Sequence, residues 1–198
     1  MSVSKVAVCY HSVKGHTAVV AQEVIHGVNQ VKDARGELID VGSNHIPWKS
    51  LAESDAIIFG CPTHFGSVSA TMKSFMDQTD AFWLEMHWRG KFAGAFTCAG
   101  EPSGDKQSVL MTLCIFAMQH GMMWIGLDPM KDVRTGFGKP ENYNIHGAYM
   151  GAMADSSSAA VTSDSPPLSH RQTAHALGKR VAMAATRWKL GEAKAMEI

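Results

Sequence analysis

Three short glycine-bearing segments carry most of the residues that could do chemistry: HSVKGHT at 11–17, CPTHFGS at 61–67 and CAGEPSGD at 98–105. The first follows the apolar run KVAVCY and leads into the helical pattern TAVVAQEVIHGV. A strand turning through such a loop into a helix makes an anion pocket, because unpaired first-turn N–H groups and the positive end of the helix dipole converge there. The segment lacks the Gly-to-Gly-Lys-Ser/Thr spacing of a Walker loop and does not read G-x-G-x-x-G. With Ser12 and Thr17 hydroxyls around the single Gly15, it suits a terminal monoester phosphate better than a pyrophosphate or triphosphate.

The three segments contain neither a close pair of carboxylates nor a Ser-His-Asp arrangement. Backbone amides, hydroxyls and apolar edges bind a planar cofactor well and leave the hard chemistry to it. Cys9, Cys61, Cys98 and Cys114 form no C-x-x-C pair and read as buried apolar residues, Cys98 least firmly because it adjoins a glycine-bearing loop. The spacing of His11, His16 and His120 has no ligand logic, so no metal is expected. Asp155 and Glu101 read as solvated loop charges, and Met111, Cys114, Ile115 and Met118 as a core stripe.

The elements that position these segments follow from hydrophobic periodicity. Strands are predicted at 5–10, 36–41, 55–60, 91–98 and 122–127, and helices at 17–31, 69–80 and 106–120, with a short segment at 48–52. Val20, Val24, Val28 and Val31 form one helical stripe, and Met72, Phe75, Met76 and Thr79 another. Residues 128–167 read as a long loop insertion in which GAYMGAMA can extend the last strand. A closing helix follows, with Ser169 as N-cap, and the 191–198 tail is expected to fray. The alternation predicts an α/β, flavodoxin-like three-layer sandwich: one domain over 1–198 with a five-stranded parallel sheet ordered 2-1-3-4-5. In such a sheet ligands bind at the carboxyl ends of the strands where the winding reverses, between the first and third.

With 198 residues, of which 45% are hydrophobic, the chain fills one packed domain. Eighteen basic and 18 acidic side chains cancel, so no global field draws in nucleic acid or an anionic membrane. The sequence shows neither a membrane-spanning apolar run nor a signal pattern, and a cytoplasmic location is expected.

YHSVKGHT, DAIIFGCPTHFGSVSATMKSFMDQT with Trp83 soon after, GKFAGAFTCAG, QHGMMWIGL and the closing Pro-x-x-Ser helix together resemble the flavodoxin-like NAD(P)H:quinone oxidoreductases of the WrbA type. The resemblance implies bound FMN, reduced by NAD(P)H as co-substrate and reoxidised by a quinone, in a homo-oligomer, dimer or tetramer. It places Ser12, Val13, Lys14, Gly15, His16 and Thr17 on the FMN phosphate. Pro62, Thr63, His64, Phe65 and Gly66 lie beside the ring, and Cys98, Ala99, Gly100, Glu101, Pro102 and Ser103 along its other side. Trp83 resembles the aromatic that stacks over the flavin, although Trp83 and Trp88 also fit core or subunit-interface anchors. Gln119 stands where a family histidine near the flavin is often found. The chain departs from the family in Lys14, in Glu101 and Pro102, and in lacking the insertion after the second strand.

Expected catalytic residues are therefore His64, as a proton source or an incidental surface residue, and Trp83. The alternatives are a single-electron flavodoxin carrier without turnover of its own, an NAD(P)H-dependent FMN reductase, and a flavin-bound regulatory protein. Carriers of that kind tend to be strongly acidic for docking, and this chain is neutral.

Overall fold

A computed structural model describes residues 3–128, 143–156 and 160–195. The central sheet contains β1 (Ser4–Tyr10), β2 (Ala34–Asp40), β3 (Ala56–His64), β5 (Phe92–Ala99) and β6 (Met123–Trp124), in the order β2-β1-β3-β5-β6. Two further strands lie off that path: β4 (Ser67–Val68) folds back antiparallel on β3, and β7 (Ala152–Asp155) runs parallel to β5. The flavodoxin-like α/β fold is as expected, but among the described residues the sheet has seven strands, one of them antiparallel.

β1, β3 and β5 are covered on both faces, which is why they read as unbroken apolar runs. β2 is a sheet edge and alternates instead, with Arg35 and Glu37 outward. On one face α1 (His16–Asn29) and α6 (Leu168–Ala195) pack Val20, Val24 and Val28 against Ala174, Leu177 and Val181. The helices cross where each is glycine: a Cβ on Gly27 would sit 1.9 Å from the His175 carbonyl oxygen, and one on Gly178 1.9 Å from that of Val24. The other face carries α2 (Trp48–Glu53), α3 (Ala70–Asp77), α4 (Asp80–Leu84) and α5 (Lys106–Gln119) over a core centred on Phe59, Phe75, Trp88 and Leu113.

Several elements differ from expectation for local reasons. The helix predicted at 69–80 ends at Asp77, and buried Thr79 separates it from α4. The strand predicted at 122–127 is cut to two residues because Leu127 N–H donates to the Tyr149 carbonyl and leaves the ladder. β7 takes the vacated position beside the second half of β5, as GAYMGAMA allowed. Helix α6 starts at Leu168, which puts Ser169 inside it and makes it no cap, and it continues to Ala195 through most of the tail expected to fray. Of the predicted 128–167 loop, residues 129–142 and 157–159 lie outside the described residues. No helix among the described residues is long and apolar enough to cross a membrane.

Candidate functional site

The carboxyl ends of β1, β3 and β5 bring the three glycine-bearing segments to one cleft of about 280 Å³. Val13, Lys14, His16 and Thr17 line it from the first loop, Pro62, Thr63 and His64 from the second, and Cys98, Ala99 and Gly100 from the third. Ser12, Gly15, Phe65, Gly66, Glu101, Pro102 and Ser103 flank it in the same loops without lining it. Ser156 also lines the cleft and was missed, because it arrives from β7, more than 50 residues beyond the third loop. No motif marks it in the sequence.

The first loop is shaped locally. Ser12 Oγ accepts the Gly15 N–H at 3.1 Å, and Gly15 adopts a left-handed φ of 91° just before α1. No side chain caps that helix end, so its first-turn donors are available to an anion. His16 is buried, with Nε2 donating to the Ala160 carbonyl at 3.1 Å. It therefore serves the loop through its main chain and its tie to 160, while Lys14 projects as an exposed cation on the wall.

The second loop ends β3 and is tied to β5 through side chains. Thr97 Oγ1 donates to the Cys61 carbonyl at 2.7 Å, so Thr63 Oγ1 must be the donor in its 2.8 Å bond to Thr97. Phe65 has a φ of 48°, uncommon for a bulky residue, and its ring is fully exposed at the hairpin tip. Gly66, at φ 71°, completes the turn. His64 is exposed at the rim. Nearby His11 shares a 2.8 Å hydrogen bond with Ser69 Oγ and is held below its ordinary pKa by burial; Asp40 opposes the shift and His64 reinforces it.

Burial pushes the Cys61 thiol up to about 12 and that of Cys98 up to about 11, so neither is a thiolate at neutral pH. All four cysteines are free and buried, as expected for apolar residues.

Trp83 and Gln119 are not brought to this cleft by their own chain. α3 and α5 run back from the carboxyl ends of the strands, and both residues line a separate cavity of about 310 Å³ with Thr79 and His120 near the opposite end of the sheet. Trp83 is half-exposed there, whereas Trp88 is a buried core residue 4.5 Å from the His120 ring. His120 Nε2 is 3.0 Å from Thr79 Oγ1, and burial lowers its pKa to about 4. His11, His16 and His120 thus have separate partners.

Two readings of side chains outside the loops need correction. Cys114 is buried, but Met111, Ile115 and Met118 are about half exposed, so the stripe on α5 is an outward apolar face. Asp155 is no solvated charge: its carboxylate is mostly buried and bonded to the wholly buried Lys106. Glu101 is exposed, as expected.

Strand order, the uncapped anion loop and a cleft at the winding reversal define a flavodoxin-like binding protein. Residues 5–128 match the model of the NADPH-dependent FMN reductase family. The chain is 35% identical to Flavodoxin FldP of Pseudomonas aeruginosa over 79% of this chain and 84% of that protein. It is 29% identical to an NAD(P)H dehydrogenase (quinone) of Archaeoglobus fulgidus over 90% and 96% of the respective lengths. A crystal structure of a flavodoxin, WrbA-like protein from Agrobacterium tumefaciens superposes with a TM-score of 0.71 at 31% identity, covering 93% of this chain and 98% of that one. The chain belongs to the NADPH-dependent FMN reductase family of oxidoreductases, in its WrbA-type, flavodoxin-like branch.

Proposed function

We propose that this protein is an FMN-dependent oxidoreductase that passes two electrons from NAD(P)H to a quinone. The observation that carries this reading is the convergence of three main-chain-rich loops on one cleft of about 280 Å³, with an uncapped helix end on one side. FMN bound there would supply reversible two-electron hydride chemistry.

The chain's own part is to bind, orient and shield. Backbone donors of the 12–17 loop other than the Gly15 N–H, which Ser12 Oγ accepts, would take the phosphate, with Lys14 adding a cation at the rim. The Thr63–Thr97–Cys61 relay fixes the second loop, so that its main-chain dipoles would be preset for the negative charge that reduction brings. Gly100, with no side chain on the cleft wall, would let main chain approach the ring closely. His64, exposed at the rim, is the imidazole placed to hand a proton to a reduced quinone. A stacking role for Trp83, and any role for Gln119, would have to come from a neighbouring copy of the chain. The outward apolar face of Met111, Ile115 and Met118, with half-exposed Trp83 and exposed Leu84, supports a homo-oligomer. We place the protein in the cytoplasm, with no nucleic acid or membrane partner.

A flavodoxin carrier is the second reading, favoured by the name of the Pseudomonas relative and opposed by the zero net charge of this chain. The purified protein should be yellow and should release FMN, not FAD, on denaturation. Oxidation of NAD(P)H should depend on added benzoquinone. Absence of turnover with bound FMN would identify a carrier, turnover dependent on free FMN instead of quinone a reductase, and a colourless protein that cannot be reconstituted would end the flavin reading.

A further inference from the structure

Lys106 opens α5 with no solvent exposure at all. A buried ammonium needs its donors satisfied, and a well-packed apolar side chain of similar size often costs less. Here all three donors are used: Nζ reaches the Glu101 carbonyl at 2.8 Å, the Pro102 carbonyl at 3.0 Å and the Asp155 carboxylate. Asp155 ends β7 opposite Ala99, and the next residue, Ser156, donates its N–H to the Ala99 carbonyl at 2.8 Å while lining the cleft. One side chain therefore joins the 98–103 loop to β7, the two pieces of backbone that close this side of the site.

His146, Asp155 and His170 also place three ligand-type atoms within 4.8 Å of one another. Two features reject a metal ion there. The Asp155 N–H donates to His170 Nδ1 at 3.1 Å, which puts the single proton of the neutral ring on Nε2, the atom that would have to ligate. The carboxylate, moreover, is already neutralised by Lys106.

We infer that Lys106 is a positioning residue for the cofactor cleft, setting the shape of the 98–103 loop from behind; this rests on the FMN reading above. Two consecutive carbonyls turned toward the ammonium fix two consecutive peptide planes. In a trans peptide the N–H lies opposite the carbonyl, so the Ser103 N–H is directed to the far side, and the preceding plane offers no N–H because residue 102 is proline. These two planes therefore offer a single main-chain donor, the Ser103 N–H, in a fixed direction.

The test compares FMN affinity, read by quenching of flavin fluorescence, with the melting temperature of the flavin-free protein, in the wild type, Lys106→Met and Lys106→Met/Asp155→Asn. Lys106→Met should lower both, with affinity falling about tenfold or more. The double variant, which leaves no orphaned charge, should regain melting temperature without regaining affinity. Wild-type affinity in either variant would overturn the inference, since Lys106 would then serve stability alone. Failure of the wild type itself to bind FMN would overturn the functional reading, and this inference with it.

Discussion

The 12–17 loop is turned by a bond inside itself, Gly15 N–H to Ser12 Oγ, and only steadied from afar by His16, whereas the 98–103 loop is held by a buried ammonium that reaches Asp155, 49 residues further along the chain. The first wall of the cleft is thus shaped largely where it stands, with one remote tie from His16 to the Ala160 carbonyl. The second depends on packing that exists only once β7 has docked on β5. Damage to the first should act more on ligand binding than on the fold, and damage to the second should act strongly on both.

Four perturbations bear on that contrast, in order of expected size. Asp155→Asn leaves the Lys106 ammonium buried without an anion and should remove about 3–5 kcal/mol of stability, read from urea unfolding. A loss below about 1 kcal/mol would mean that the second loop does not depend on its remote tie. Gly15→Ala forces a side chain into a φ of 91° and puts its Cβ 2.9 Å from a methyl of Val161. The cost should be about 1–2 kcal/mol in stability, with a proportionally greater loss of FMN affinity in titration.

Ser12→Ala removes a single local acceptor and should cost about 0.5–1.5 kcal/mol. Equal damage from Ser12→Ala and Asp155→Asn would erase the distinction between the walls. Last, His64→Ala should slow quinone reduction while leaving FMN bound; unchanged turnover would remove His64 from the proton path.

Acid should weaken the second wall as well. Burial lowers the pKa of His170, beside Asp155, to about 4, with Asp155 opposing the shift and His146 and Lys106 adding to it. A folded-state pKa below the unfolded value of about 6.5 means that the unfolded chain binds more protons between those limits, so stability falls as pH drops from about 6.5 toward 4. His120 contributes in the same direction through burial alone. The urea midpoint should be lower at pH 5 than at pH 7, and His170→Gln should reduce the difference.

Much of this architecture was legible in the sequence, for reasons particular to each part. Strands covered on both faces read as KVAVCY, DAIIFG and KFAGAFTC, and loops with fixed glycines follow each of them. Ten of the predicted cofactor residues line one cleft because parallel topology leaves those loops nowhere else to go. Ser156 and the Lys106–Asp155 pair were not legible, since a lysine and an aspartate 49 residues apart carry no periodicity and read as surface charge. The α5 stripe misled for the opposite reason: apolar spacing on a helix shows a hydrophobic face but not whether this chain or another covers it. Trp83 and Gln119 came from resemblance, which assigns a role without saying which copy of the chain performs it.

The divided fifth position of the sheet also bears on solubility. Beside β5 the described chain offers β6 and β7, of two and four residues, with a break between them where Gly126 closes against Tyr149 and Gly151 against Ala95. A long, flat, unpaired rim would be a template for another strand. Two stubs separated by a break give an incoming chain no continuous ladder, and the opposite rim, β2, carries Arg35 and Glu37 outward. Both borders of the sheet are thereby poor nuclei for aggregation, one by interruption and the other by charge.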